Sequence, residues 1–383
     1  MNHIRYLLSR MSHILHGFIP SILMLFFKKN KKLIIFNSEF NTCFNHNSKH
    51  LFLYFLSCKN DYTVKFVIND TQLRIKLIEE YGQHFISTRS IKGTFIALSA
   101  KTWVTSSLET PVGGFFLAYK RKVIHLGHGA PIKNVGLGEK YNSIFKKVYY
   151  ALQSTNFSHF FSTSEVFDKA WSTCIGVPFG NIIRSPQARN ELIRKRSTQN
   201  ESRAILYAPT WRPFSNTLLF PFDDFNLVEL QSYLERENLF IYLRLHPNFE
   251  SEAFSYLVAN NIKLLDKQKV SDINEELSNF DLLITDYSSI YVDFLLTENP
   301  ILFLPYDLDE YNSSVGFTLD YDYYSPGPKP SSFQEFLKEI NQLLDNDDYF
   351  NKDRVIVNEV LNPIKDNHLY QSYLSLMRIL TNS

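Results

Sequence analysis

Apolar residues recur along this chain in two alternating rhythms. Short continuous runs at 33–36, 64–68, 101–105, 122–125 and 159–163 are interleaved with windows of helical period at 48–56, 71–81 and 143–152. The alternation resumes later, with runs at 204–207, 240–245, 263–265, 282–285 and 301–304 and helical windows at 227–237, 252–260, 273–278 and 289–296. Three more helical windows, around 333–344, 349–361 and 370–380, close the chain. Apolar runs of strand length separated by amphipathic helices predict parallel strands covered on both faces. At 383 residues the chain exceeds one ordinary domain, and the polar stretch 189–203, dense in Asn, Arg, Ser and Glu, is the expected boundary. The pattern therefore predicts an α/β protein of two Rossmann-type, doubly wound parallel-sheet domains, 33–190 and 203–383. The carboxyl ends of both sets of strands are expected to face a cleft, where open sheets bind ligands.

Residues 1–32 follow neither rhythm. Arg5, Arg10, Lys28, Lys29, Lys31 and Lys32 precede the first acid, Glu39, and flank apolar positions: Leu7, Leu8, Met11, Ile14, Leu15 and Phe18 at helical spacing, then the apolar run 22–27. Pro20 interrupts the run 18–27, which is shorter than the roughly 20 apolar residues of a spanning helix. No small-residue cleavage site follows, and the lysines stand on the wrong side for a signal peptide. The segment is expected to lie as a helix in the interface of an anionic membrane, with a first core helix as the alternative.

Composition narrows the remaining choices. A net charge of +1 gives the whole molecule no electrostatic footprint of a nucleic-acid binder. Cys43, Cys58 and Cys174 lack the number and spacing of a disulfide framework or zinc site, so a reducing compartment and no metal centre are expected. The 33 Phe and 22 Tyr are read mainly as core filling.

The candidate chemistry falls just after strands. In His125-Leu126-Gly127-His128-Gly129-Ala130-Pro131-Ile132-Lys133, glycines on both sides of His128 let backbone approach a ligand and leave the imidazole unshielded as a general base, while Lys133 suits a phosphate. His125 lies within the strand and is read as structural. In Arg244-Leu245-His246-Pro247 the period of two points a guanidinium and an imidazole to one side, a pairing suited to a leaving diphosphate. In Thr285-Asp286-Tyr287-Ser288-Ser289-Ile290-Tyr291-Val292-Asp293-Phe294, Ser288 and Ser289 open a helix and form an anion site. Asp293, one turn on, is placed to accept from ribose hydroxyls, and Asp286 to brace the turn. Thr210 and Arg212 in Tyr207-Ala208-Pro209-Thr210-Trp211-Arg212 add a hydroxyl and a guanidinium, and Tyr306-Asp307-Leu308-Asp309-Glu310-Tyr311 reads as a hydrogen-bonding or lid loop.

These segments, in order across 38–328, resemble the CDP-glycerol glycerophosphotransferases, which include the teichoic acid and capsule polymerases and primases. The family's Trp-His-Gly-Thr-Pro-Leu-Lys is similar to Gly127–Lys133, its Tyr-Ala-Pro-Thr-Trp-Arg to Tyr207–Arg212, and its Arg-x-His-Pro to Arg244–Pro247. Its Thr-Asp-Tyr-Ser-Ser-x-x-x-Asp-Phe matches Thr285–Phe294, and its Pro-Gly-Pro matches Pro326–Pro328. The resemblance implies a GT-B-like fold, with CDP held mainly by the second domain through Thr210, Arg212, Arg244, Ser288, Ser289 and Asp293. It makes His128 the acceptor-side base, with Lys133 and Gly129 beside it, and has His246 assist the diphosphate. It implies no required cofactor, leaving room for divalent-cation stimulation. The partners it implies are CDP-glycerol, a lipid-linked or polymer acceptor and the cytoplasmic face of the cell membrane, with homo-oligomerisation open. CDP-ribitol and nucleotide-sugar GT-B transferases are the alternatives. Two departures, Gly127 in place of Trp and Pro186-Gln187-Ala188-Arg189-Asn190-Glu191 in place of Gly-x-Pro-Arg-Asn-Asp, bear on the acceptor and not on the reaction class.

Overall fold

The computed structural model describes residues 3–23, 26–140, 144–194, 202–212, 217–245, 250, 253–266, 270 and 272–381. The chain forms two compact units, one from Met1–His128, Asn134–Glu191 and Ile364–Ser383, the other from Gly129–Lys133 and Leu192–Pro363.

In the first unit, α1 (His3–Leu23) precedes β1 (Asn30–Asn37), α2 (His46–Ser57), β2 (Thr63–Val67), α3 (Thr71–Tyr81), β3 (Phe85–Ile86), α4 (Ile91–Ser99), β4 (Ala100–Thr105), β5 (Lys122–His125), α5 (Ile144–Ser154), β6 (His159–Ser162), α6 (Asp168–Ile175) and β7 (Ile182–Arg184). The seven strands are parallel in the order β3-β2-β1-β4-β5-β6-β7, so the winding reverses between β1 and β4. Ile34, Phe36, Val104 and Ile124 are buried with Leu51, Phe52 and Phe55 of α2. Burial on this scale stabilises by about 1.5–3 kcal/mol per large apolar side chain.

The second unit holds β8 (Arg203–Ala208), α7 (Leu227–Arg236), β9 (Leu239–Leu243), β10 (Ile262–Leu264), β11 (Leu282–Thr285), α8 (Ile290–Phe294), β12 (Ile301–Phe303), α9 (Leu308–Ser314), α10 (Tyr321–Tyr324), α11 (Phe333–Asp345) and α12 (Asn351–Leu361). Its five parallel strands run β10-β9-β8-β11-β12, with the reversal between β8 and β11. The α/β, doubly wound parallel architecture is thus observed in both units.

Three expectations change. The last helix, α13 (His368–Thr381), buries Leu376, Ile379 and Leu380 in the core of the first unit, so the second unit ends at Pro363 and not at 383. The short piece Gly129–Lys133 belongs to the second unit, where the Ile132 carbonyl accepts from the Thr318 N–H at 3.1 Å and Lys133 pairs with Phe317 as an antiparallel bridge. The helical window at 252–260 forms turns, with no α-helix among its described residues.

The N-terminal helix inverts the usual arrangement. Pro20 lies inside α1 without ending it. The face turned to the sheet unit is small and polar: His13 Nε2 donates to the Thr110 carbonyl at 3.0 Å, and Ser21 Oγ to that of Gly113 at 3.2 Å. A Cβ on Gly17 would lie 2.1 Å from the Gly113 oxygen, so backbone rests on backbone. Leu15, Phe18, Ile19 and Ile22, at the spacing of one helical stripe, face solvent, and Phe26, beyond the end of the helix, is 86% exposed. This is not the packing of a core helix.

Candidate functional site

The sequence-derived residues separate between the units, and each set stands at the carboxyl end of its own sheet. In the first unit β5 ends at His125, whose ring is buried and stacked on Phe160 at 4.1 Å; its Nδ1 accepts the Gly127 N–H at 2.9 Å. Burial holds this imidazole well below its ordinary pKa, in keeping with a structural role. Gly127 takes φ +73°, a conformation that favours glycine, and turns the chain so that the His128 side chain is exposed.

His128 faces a polar loop that follows β1. Glu39 Oε1 lies 3.3 Å from His46 Nε2, Asn45 Nδ2 donates to Glu39 Oε2 at 3.2 Å, and Ser38 Oγ donates to Asn45 Oδ1 at 2.5 Å. The His46 and His128 rings are 5.9 Å apart. Phe40, Asn41 and His46 all have positive φ, a strained backbone of the kind that persists where the surroundings over-determine it. Asn47 ties the pieces together, donating to the Gly127 carbonyl at 2.8 Å and accepting from the Arg189 N–H at 3.1 Å. Desolvation in this crowded loop, with His46 and Arg189 adding and Glu39 and Glu109 opposing, presses the His128 pKa to about 4. Because the side chain keeps solvent access, water screens part of that effect, and the chemistry uses its direction: a neutral imidazole with a lone pair at neutral pH. Sequence reasoning missed Glu39, His46 and Asn47; the run Asn45-His46-Asn47 just past a strand was the available signal.

In the second unit the loops after β8 and β11 meet at the reversal of strand order. Asp286 Oδ1 accepts the Thr210 and Tyr287 N–H groups at 2.7 and 2.6 Å, as expected of a turn brace. Arg212 is a correction. Its side chain is buried, Nη1 donates to Asp286 Oδ2 at 2.6 Å and to the Thr210 carbonyl, and Nε and Nη2 form a fork on Asp307 at 2.8 Å each. Tyr287 and Tyr306 rings lie 4.8 Å and Tyr311 5.4 Å from its guanidinium carbon. Committed to two carboxylates and a carbonyl inside this tyrosine cage, Arg212 braces the loops after β8, β11 and β12, a set of contacts that the sequence reading of a phosphate ligand did not include.

Lys133 joins this cluster. Burial lowers its pKa to about 8, with Asp286 opposing and Arg212 adding to the fall. Thr210 Oγ1 is buried with no partner, a donor held ready. Ser288 and Ser289 are half-buried before α8, and the Ser289 side chain makes no cap bond. Asp293 is a second correction: it is 1% exposed, and its carboxylate accepts from Asn274 Nδ2 at 2.8 Å. The helical period placed it on the Ser289 face, but that face turns inward, where Asn274 of the Ile273–Glu275 turn occupies its carboxylate. Arg244 is half-buried after β9 and donates to the Leu265 carbonyl at 2.9 Å; burial lowers its pKa against the pull of Glu250, Asp272 and Asp266. His246 lies outside the described residues. Among the described residues no group of three or more His, Cys, Asp or Glu is placed to hold a metal ion.

Comparison with known proteins follows the same outline. Residues 20–372 match the family described as CDP-Glycerol:Poly(glycerophosphate) glycerophosphotransferase. A teichoic acid poly(glycerol phosphate) polymerase of Bacillus spizizenii is 26% identical over 347 residues, covering 82% of this chain and 84% of that protein. A teichoic acid glycerol-phosphate transferase of Staphylococcus aureus is 24% identical over 350 residues, covering 82% and 85%. The structure of the wall teichoic acid polymerase TagF is similar with a TM-score of 0.74 at 17% identity, over 99% of this chain and 98% of that one, a likeness of fold.

Proposed function

The chain belongs to the CDP-glycerol:poly(glycerophosphate) glycerophosphotransferase family, and from that premise we propose that it transfers glycerol phosphate from CDP-glycerol to a terminal hydroxyl of a teichoic-acid-type envelope polymer. The acceptor oxygen attacks the β-phosphorus, the bond from that phosphorus to the bridging oxygen breaks, and CMP leaves. No covalent enzyme intermediate and no obligatory metal are invoked; positioning and charge stabilisation supply the rate. The observation that carries this reading is the neutral, exposed imidazole of His128 on its glycine-flanked loop, a base able to take the acceptor proton. In the second unit Thr210, Ser288, Ser289 and Arg244 are assigned to the donor's phosphates, and Lys133, expected from the sequence on the acceptor side, is assigned with them because it belongs to the second unit beside Asp286 and Arg212. Incubation with CDP-glycerol, CDP-ribitol and UDP-sugars and a lipid-linked acceptor tests it: CMP release with CDP-glycerol is expected, and UDP release alone overturns it.

Two further outcomes follow from the site. Thr210→Val is expected to leave the melting temperature unchanged, since Oγ1 has no partner to lose, yet weaken CDP binding by about 1–3 kcal/mol in calorimetry. The pH profile of kcat/KM should rise on an acid limb between about 4 and the ordinary histidine value of 6.5, as His128 loses its proton. It should fall on an alkaline limb near 8, as Lys133 loses its charge. Lys133→Arg, which stays charged, should abolish only the alkaline limb.

The exposed stripe of α1 supports peripheral attachment to a membrane, and the absence of a disulfide among the cysteines of the described residues is in keeping with the cytoplasmic face. No helix among the described residues is long and apolar enough to cross a membrane.

A further inference from the structure

We propose that a lysine-lined cavity at the amino ends of the first unit's strands binds the phosphate of an anionic phospholipid headgroup. The cavity, about 570 Å³, is lined by Lys31, Lys32, Lys59, Lys101, Lys122 and Thr102 and closed on one side by the last turns of α13. Lys31, Lys101 and Lys122 stand at the first or second positions of β1, β4 and β5, and Lys59 just precedes β2. Parallel strands thus bring to one edge cations that are far apart in sequence. Asp61 is the single carboxylate among the lining residues, and it is 87% exposed and 3.4 Å from Lys32. In a chain of net charge +1 this concentration is a local choice, and it matches an anion.

Two details mark the cavity as a site and not a solvated surface. Thr102 is 1% exposed and its Oγ1 has no hydrogen-bond partner, which leaves a buried donor at the cavity wall. Lys122 is half-buried with its ammonium against the Ile379 and Leu380 carbonyls, and burial followed by the nearby charges of Lys101 and Lys31 lowers its pKa. A bound phosphate would relieve that repulsion and accept from the threonine. The cavity is separate from the His128 loop, because β5 runs from Lys122 at one edge to His125 at the other, about 10 Å along the strand.

The neighbourhood selects a lipid as the source of the phosphate. Phe26 and Phe27 are exposed, and Phe27 stands four residues before Lys31, so the two Cα atoms are at most about 14 Å apart. The apolar stripe of α1 therefore leads into the cationic cavity, apolar groups for the acyl region beside ammonium groups for the phosphate layer. The proposal rests on the peripheral-membrane reading, and its test separates the two.

The test is flotation of the full-length protein with vesicles of phosphatidylcholine, with and without phosphatidylglycerol. Replacing Lys31, Lys59 and Lys101 together by Gln is expected to lower partition onto the anionic vesicles by between about tenfold and about 150-fold, the upper figure being the full electrostatic contribution of three surface lysines. The same exchange at the exposed Lys76, Lys338 and Lys352 should lower it several-fold less. Equal partition of the cavity variant and the parent overturns the headgroup site even if Phe18→Ser/Ile22→Ser abolishes binding, an outcome that keeps the membrane reading. Vesicle binding insensitive to both variants overturns both. If soluble poly(glycerol phosphate) binds the parent and not the cavity variant while vesicle partition is unchanged, the cavity takes polymer and the lipid assignment falls.

Discussion

His128→Ala should lower phosphotransfer by about 10²–10⁴-fold, the ordinary contribution of a positioned general base, while leaving CDP affinity within a few-fold. The asymmetry follows from the structure: His128 belongs to the first unit, and the donor-assigned residues belong to the second. Calorimetry with CDP beside single-turnover release of CMP decides it. A variant that turns over normally but no longer binds CDP would show that His128 serves the donor. A structural role is separated by the melting curve, because an exposed imidazole contributes little packing and the variant should melt with the parent.

Arg212 is expected to matter through stability. Arg212→Met keeps the length and apolar stem but takes from Asp286 and Asp307 the guanidinium that both are paired with, leaving Lys133 as the neighbouring cation of the cluster. Breaking a buried ion pair in this way costs about 3–5 kcal/mol, a large share of the roughly 5–15 kcal/mol that holds a domain folded, so the melting temperature should fall by many degrees. The triple variant Arg212→Met/Asp286→Asn/Asp307→Asn should recover a large part of the loss, since the orphaned charges go with the cation. If the single variant melts with the parent, the guanidinium is not the organiser of these loops. If CDP affinity falls with no change in melting, Arg212 touches donor phosphate after all.

The strands were legible because buried parallel strands write themselves as continuous apolar runs. β5 and β11 begin and end where their runs do. Helix α4 left no such trace, since its buried positions are Gly93, Ala97 and Leu98 while Ile91 and Phe95 face solvent. At Gly93 a Cβ would meet the Ser87 oxygen at 1.9 Å, so the contact depends on the missing side chain, which an apolar pattern does not record. At the site, single residues after strands were legible and their partners were not. His128 announces itself by its glycines, whereas the Glu39–His46 pair arises from left-handed turns at Phe40, Asn41 and His46, where no glycine marks the turn and Phe40 is a type that rarely adopts positive φ. Arg212 was misassigned because the sequence reports a guanidinium but not the two carboxylates that come to it from 74 and 95 residues away. The 3.6-residue period placed Asp293 on the correct helix face; which way that face turns is settled by the Ile273–Glu275 turn packed upon it.

The docking of α13 on the first unit bears on the order in which the protein is made. The Glu191 carboxylate accepts the Leu369 N–H at 3.0 Å across 178 residues of sequence, so the second unit is an insertion within the first. The helix that contributes Leu376, Ile379 and Leu380 to the first core is made only after the whole of the second unit. The first unit therefore waits with an open apolar groove while the whole second unit is synthesised, and its final cooperativity is acquired only when α13 docks. During that interval the nascent chain is at its most vulnerable to proteases and to premature association, and removal of α13 (His368–Thr381) should leave the second unit folded while the first remains a substrate for degradation.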